Sequence, residues 1–257
     1  MAKIFETHAH YDDDAFDGDR ELLLESFSKN GIEKVVNIGA NLSTSRATVE
    51  LTKKYDFIYG TVGVHPSDIR ELESEGAIEE LETLGTMDKI LAIGEIGLDY
   101  HYEDTDEFLQ KKWFVRQMDL AKKLKLPIVV HSRDAAKDTM DIMEAEKARD
   151  IGGVVHCFSY GKEVARTFLD MGFYIGVGGV VTFKNGKKLK EVVEYAPLDK
   201  IVLETDAPYL APEPYRGKRN SSLYIPHAAE VIADIKGISV DELYEITYSN
   251  AMKLYRL

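Results

Sequence analysis

Lys3-Ile4-Phe5-Glu6-Thr7-His8-Ala9-His10 carries the chain from a short apolar run straight into two histidines one residue apart. Side chains of a strand alternate between its faces, so His8 and His10 project the same way. Two imidazoles on one face at a strand end make half of a metal site, and their partners must come from the ends of other strands. Working outward, runs rich in Val and Ile recur at residues 3–7, 34–38, 58–64, 90–95, 127–131, 153–156, 173–177 and 200–205. Such near-continuous hydrophobicity marks strands buried on both faces.

Amphipathic stretches separate them. Residues 19–29 place Leu22, Leu23 and Phe27 on one side before the stop signal Asn30-Gly31, and residues 43–55 begin at a cap-competent Ser. The longest helix, 106–126, counts Phe108, Trp113, Met118 and Leu124 among its apolar positions, and Pro127 follows it. Residues 134–149, 161–171, 187–195 and 226–235 continue the alternation, and Ser239-Val240-Asp241-Glu242 forms a capping box for a last helix over 239–257. Strands alternating with helices predict a parallel (β/α)8 TIM barrel, with 1–257 as a single domain and 206–225 as a long loop at its mouth.

Composition narrows the class. A net charge of −13 argues against sequence-blind coating of nucleic acid, so a nucleic-acid substrate needs metal ions or a local basic patch. A lone Cys157 excludes an intrachain disulfide and fits a reducing compartment. The start Met1-Ala2-Lys3-Ile4 lacks a secretory leader, and no apolar run reaches a membrane-spanning length. A soluble, cytoplasmic protein with no membrane partner and no obligate protein partner is expected.

Barrels place chemistry at the C-terminal ends of their strands. There the chain sets His8, His10, His65, Glu95, His131, His156, Glu204 and Asp206, which include five of its seven histidines. Singly, each reads as a core or cap residue; jointly, so much buried polarity calls for a cation. Imidazole with carboxylate suits zinc, manganese or magnesium. Glu204 reads equally as a hydrogen-bonding residue or a chemical one. His101 and His227 read as exposed or packing residues, Cys157 as core filler turned from the centre, and Asp12-Asp13-Asp14 as a solvated loop. The basic loop with Arg216, Lys218 and Arg219, joined by Arg133 and Lys184, suits a phosphate-bearing substrate or an ordinary solvated surface.

The strings His8-Ala9-His10, Gly63-Val64-His65-Pro66, Gly94-Glu95-Ile96-Gly97-Leu98-Asp99-Tyr100, His131-Ser132-Arg133-Asp134, His156-Cys157-Phe158-Ser159, Glu204-Thr205-Asp206-Ala207-Pro208-Tyr209 and Arg216-Gly217-Lys218-Arg219-Asn220 closely resemble the TatD family of metal-dependent deoxyribonucleases, in order along the whole chain. The resemblance implies an amidohydrolase-like barrel with two divalent metal ions, one on His8, His10 and Asp206, the other on His131 and His156, bridged by Glu95. It implies that His65 approaches the substrate phosphate and that Arg216 and Arg219 help to hold it. The chain departs from the family pattern at three places: Glu6 stands where Asp is usual, Tyr160 where Gly is common, and Ser221-Ser222 where many members continue Glu-Pro. Glu6 is expected to alter support of the histidines, and the other two to touch substrate preference.

The expected chemistry is metal-dependent phosphodiester hydrolysis on ends of single-stranded DNA, or of RNA, with Asp206 as general base and His65 and an arginine stabilising the transition state. One rival is hydrolysis of a small ester, lactone or amide, or of aminoacyl-tRNA. A second is a metal-stabilised binding protein without catalysis.

Overall fold

The computed structural model describes residues 3–257; Met1 and Ala2, where the reading of an absent leader begins, lie outside the described residues. The strands are β1 (Ile4–Ala9), β2 (Ile32–Ile38), β3 (Ile58–Val62), β4 (Ile90–Asp99), β5 (Ile128–Arg133), β6 (Gly153–Val155), β7 (Tyr174–Val177) and β8 (Ile201–Leu203). They lie parallel in one eight-stranded sheet, in chain order. Beyond the short β8, Ala9 bridges Ala207, with His10 N–H donating to Ala207 O at 2.7 Å and Asp206 N–H to His8 O at 2.9 Å. These contacts complete the expected barrel. Its helices are α1 (Arg20–Glu25), α2 (Leu42–Lys54), α3 (Ala77–Gly85), α4 (Glu107–Leu124), α5 (Ala136–Ala145), α6 (Lys162–Asp170), α7 (Lys187–Tyr195), α8 (Ile225–Lys236) and α9 (Val240–Tyr255). Among the described residues no helix is long and apolar enough to cross a membrane.

Neighbouring strand residues sort into two buried clusters. Ile4, Val35, Ile93, Ile128, Val155 and Ile201 pack in the cluster shared with the helices. Phe5, Val36, Ala92, Val129, Val154 and Val202 form the inner cluster, closed by Ala251, Leu254 and Tyr255 of α9. The Tyr255 hydroxyl donates to Thr7 O at 2.9 Å, fixing that plug.

Strict alternation from Phe5 and Ala92 would turn His8, His10 and Glu95 outward, toward the helices. The register prevents this. Glu6 pairs with Val35 but Ala9 with Asn37, and Ile93 pairs with Ile128 but Ile96 with Val130. One extra residue therefore sits in β1 and one in β4. Such bulges re-aim side chains, and here they bring the later residues of both strands to the inner face. On β5, β6 and β8 the series Val129–His131, Val154–His156 and Val202–Glu204–Asp206 keeps its parity without a bulge.

The helices differ from expectation in local ways. α1 has only six residues, and Leu24 and Phe27 face the core, so Leu22, two residues from Leu24, is 73% exposed. Leu109 and Trp113 face inward on α4, leaving Phe108 80% exposed. α2 starts earlier than Ser43: Asn41 and Thr44 cap it reciprocally. α3 was not anticipated, because residues 66–85 are acid-rich and α3 buries only Ala77, Leu81 and Gly85.

Candidate metal centre

A cavity of about 880 Å³ opens at the C-terminal ends of the strands. His10, His65, Glu95, His131, His156 and Asp206 line it, and His8, 1% exposed, lies buried against them. The residues expected to bind metal thus converge from β1, β4, β5 and the segments after β6 and β8.

Glu95 occupies the centre. Its Oε1 lies 2.8 Å from His131 Nδ1 and 2.6 Å from His156 Nε2. Its Oε2 faces His8 Nε2 at 3.6 Å and His10 Nε2 at 3.8 Å, while Asp206 Oδ1 stands 3.5 Å and 3.4 Å from those same nitrogens. Donors bound at about 2.1 Å to one ion stand roughly 3–3.5 Å apart, so the second set is spaced as ligands around a common cation. Two groups of donor atoms, His8 with His10 and Glu95, and His65 with Glu95 and His131, each lie within 4.8 Å of one another.

Hydrogen bonds assign the rings. His10 Nδ1 lies 3.1 Å from Ile38 O, which can only accept, so Nδ1 carries a proton and Nε2 is the nitrogen turned inward. His65 is the reverse. Its Nδ1 accepts Ser67 N–H at 3.1 Å, leaving the Nε2 proton directed to the side of Glu95, 3.7 Å away. His65 thereby presents a donor to the cavity, and His10 turns Nε2 toward it.

Among the described residues the buried side-chain atoms without a hydrogen-bond partner are His8 Nδ1 and Nε2, His156 Nδ1 and Glu204 Oε2. Buried polar atoms are ordinarily satisfied, and all four fall at this centre. The field asks for positive charge on both sides of Glu95. Burial opposes charging His10 and His131, yet Asp206 beside the one, and Asp99 with Glu95 beside the other, hold each at about 9. Burial and His156 keep His8 neutral, down at about 4. Burial pushes the Glu95 carboxyl up, but His156, His65 and the hydrogen bonds from His131 and His156 outweigh it and keep the group well below the usual range. The residues present fit divalent cations.

Some roles were not anticipated. Asp99 Oδ2 lies 3.1 Å from His131 Nε2 and orients that ring. Its signal was the spacing Glu95, Gly97, Asp99, legible only once β4 is known to continue past Glu95. Glu204 Oε1 accepts Cys157 N–H at 2.5 Å, and a carboxylate oxygen of Glu204 groups with donors of His8 and His156. Cys157 lines the cavity instead of turning away, because β6 ends at Val155 and Cys157 takes a φ of 44°. Asp12 is no free loop residue: it lines the cavity and accepts Asn37 Nδ2–H at 2.8 Å. His101 is exposed against Asp134, and His227 packs beside Tyr215.

The basic side chains mostly stay apart from the cavity. Arg133 lines it, whereas Lys184, Arg216 and Arg219 do not. Arg219 is engaged by Asp19 at 2.6 Å and by Ala15 O, and Arg216 lies 4.3 Å over the Phe183 ring. Tyr160, expected to touch substrate preference, is not among the residues lining the cavity; its hydroxyl sits 3.0 Å from Ser132 Oγ and accepts Ala135 N–H.

Two of the departures prove to be one device. Glu6 Oε1 accepts the backbone N–H groups of His8 and Thr205 at 3.0 Å, and Oε2 accepts the hydroxyls of Thr205 and Ser222 at 2.7 and 2.8 Å. Ser222 also meets Tyr11 Oη at 2.6 Å. Glu6 therefore holds the backbone where the barrel closes, and not the histidine rings. Ser222→Ala leaves Glu6 and Tyr11 short of a buried partner and is expected to cost about 1–3 kcal/mol in urea unfolding. Combined with Glu6→Gln, the two losses should fall short of additive, since they share one network.

Fold and centre together define a metal-dependent hydrolase on a (β/α)8 barrel. Residues 5–256 match the family described as "TatD related DNase", and the chain belongs to that family. It is 41% identical over 254 residues to an uncharacterized metal-dependent hydrolase, YabD, of Bacillus subtilis, covering 99% of each. It is 38% identical over 208 residues to YcfH of Escherichia coli, described in the same words, covering 81% of this chain and 77% of that one. Among solved structures, the TatD homolog YJJV of Escherichia coli superposes with a TM-score of 0.93 at 28% identity, over 99% of this chain and 98% of that one. A TatD family hydrolase of Entamoeba histolytica superposes at 0.90 and 28%, over 99% of both.

Proposed function

We propose that this hydrolase is a phosphodiesterase that removes nucleotides from the ends of single-stranded DNA, and of RNA as a second substrate, using two divalent ions that share Glu95. The observation that carries the reading is that Glu95 turns Oε2 to His8 and His10 and Oε1 to His131 and His156. His8, His10 and Asp206 would hold one ion, and His131 and His156 the other. Magnesium, manganese and zinc all suit this donor set. Bound there, the ions supply charge that offsets the phosphoryl oxygens and acidifies water.

The chain's own residues do the rest. Burial raises Asp206, but His10 and His8 outweigh it and hold its carboxylate ionised, ready to take a proton from the attacking water. His65 donates its Nε2 proton to a phosphoryl oxygen, and Arg133 steadies another. Asp206 has a φ of 59°, a left-handed conformation that turns its carboxylate back toward β1. The lone cysteine supports a reducing, cytoplasmic setting, and the one barrel sheet supports a single domain.

The test is metal-free protein supplied with magnesium, manganese or zinc and a single-stranded oligonucleotide labelled in one sample at its 5′ end and in another at its 3′ end. Stepwise shortening is expected, lost with chelator and in His156→Ala. A second reading has its own observation: the described residues lining the cavity include seven carboxylates and one guanidinium, Arg133. That balance suits an uncharged ester or amide. Hydrolysis of small esters with the oligonucleotide left intact under every ion would replace the first reading by the second.

A further inference from the structure

We infer that Tyr102 and Tyr209 form a base-stacking clamp across the mouth of the cavity, so that the enzyme grips a single strand by its nucleobases more than by its backbone. The inference rests on the nuclease reading for its substrate class and on separate observations for its residues. Both tyrosines line the cavity. Most large apolar side chains are buried, yet Tyr102 is 55% and Tyr209 is 53% exposed. They follow β4 and β8, and in an eight-stranded barrel in chain order those strands stand half a circumference apart. The two rings therefore sit on opposing walls.

Each ring is braced. The Tyr209 hydroxyl donates to Asp13 at 2.8 Å, and its ring lies 6.2 Å from that of His10, edge-on. The Arg133 guanidinium lies 5.9 Å from the centre of the Tyr102 ring. A ring already held loses little freedom when a base stacks on it. Electrostatics points the same way. With Arg216 and Arg219 engaged elsewhere, Arg133 the one basic residue among the described lining, and carboxylates round the rim, the cavity does not offer a basic groove that tracks the backbone. Stacking on aromatic rings needs no positive charge and tolerates any base. Unpaired bases present the faces that such rings require, whereas bases within a duplex do not.

The experiment is fluorescence anisotropy of the metal-loaded protein with two labelled phosphorothioate strands of equal length, an oligothymidylate and a fully abasic strand of the same charge. The wild type is expected to bind the base-bearing strand at least about tenfold more tightly. Tyr209→Ala and Tyr102→Ala should each remove most of that preference, while Tyr209→Phe, which keeps the ring, should retain it. Equal binding of both strands by the wild type, or a preference that survives both alanine variants, would overturn the clamp. Cleavage of the ordinary phosphodiester strand is scored separately. Preference without cleavage keeps the clamp and removes the nuclease reading; cleavage without preference does the opposite.

Discussion

Glu95→Gln is expected to lower hydrolysis by about 10³-fold or more while leaving the barrel folded. Outer partners of metal ligands already cost 10–100-fold when removed, so a ligand shared between two ions should cost more. The replacement keeps the volume of the side chain but makes one carboxylate oxygen an N–H donor. Whichever way the amide turns, one pair of nitrogens loses its oxygen: His131 and His156, which approach Oε1 at 2.8 and 2.6 Å, or His8 and His10, which flank Oε2. The negative charge that draws cations to both sides is gone as well. Metal content after desalting should fall with activity, and thermal unfolding of the metal-free protein should change little. A variant that keeps both its metal and its rate would remove Glu95 from the shared position. Asp99→Asn, which touches only one ring, should act more weakly, by about 10–100-fold.

Much of this was legible in the chain. The barrel could be read because each strand is buried on both faces and writes itself as an apolar run, and the candidate ligands because they end those runs. What could not be read depends on contacts between distant residues. The bulges in β1 and β4 are set by pairing with β2 and β5, and nothing local in Thr7-His8 or Gly94-Glu95 announces an extra residue. Arg219 looks free beside Lys218, yet its partner Asp19 lies 200 residues away in the chain. Cys157 was misplaced by extending an alternation beyond the strand that enforces it. Glu6 and Ser222 each looked like a separate departure, because only the closure of the barrel brings them to 2.8 Å.

Gly97→Ala is expected to be the most damaging single methyl that the centre can receive. Gly97 has a φ of 146°, and a Cβ there would fall 1.9 Å from the carbonyl oxygen and 2.9 Å from the carbonyl carbon of His131. Both obstacles are backbone, so no rotamer change relieves them. Gly97 pairs directly with His131 across β4 and β5, so relief requires the strands to part where Glu95 and Asp99 grip the His131 ring. The φ itself adds a penalty for any L side chain. We expect a loss of about 3–5 kcal/mol in denaturant unfolding, a melting temperature lower by on the order of 10 °C, and a fall in metal affinity beyond that expected for Asp99→Asn. Gly152→Ala provides the contrast. It also has a positive φ, 75°, but nothing lies within 4 Å of the added methyl. It should cost only about 1–2 kcal/mol and leave metal binding intact. Equal losses in the two variants would mean that backbone conformation alone, and not the closeness of His131, governs the tolerance of β4 at Gly97.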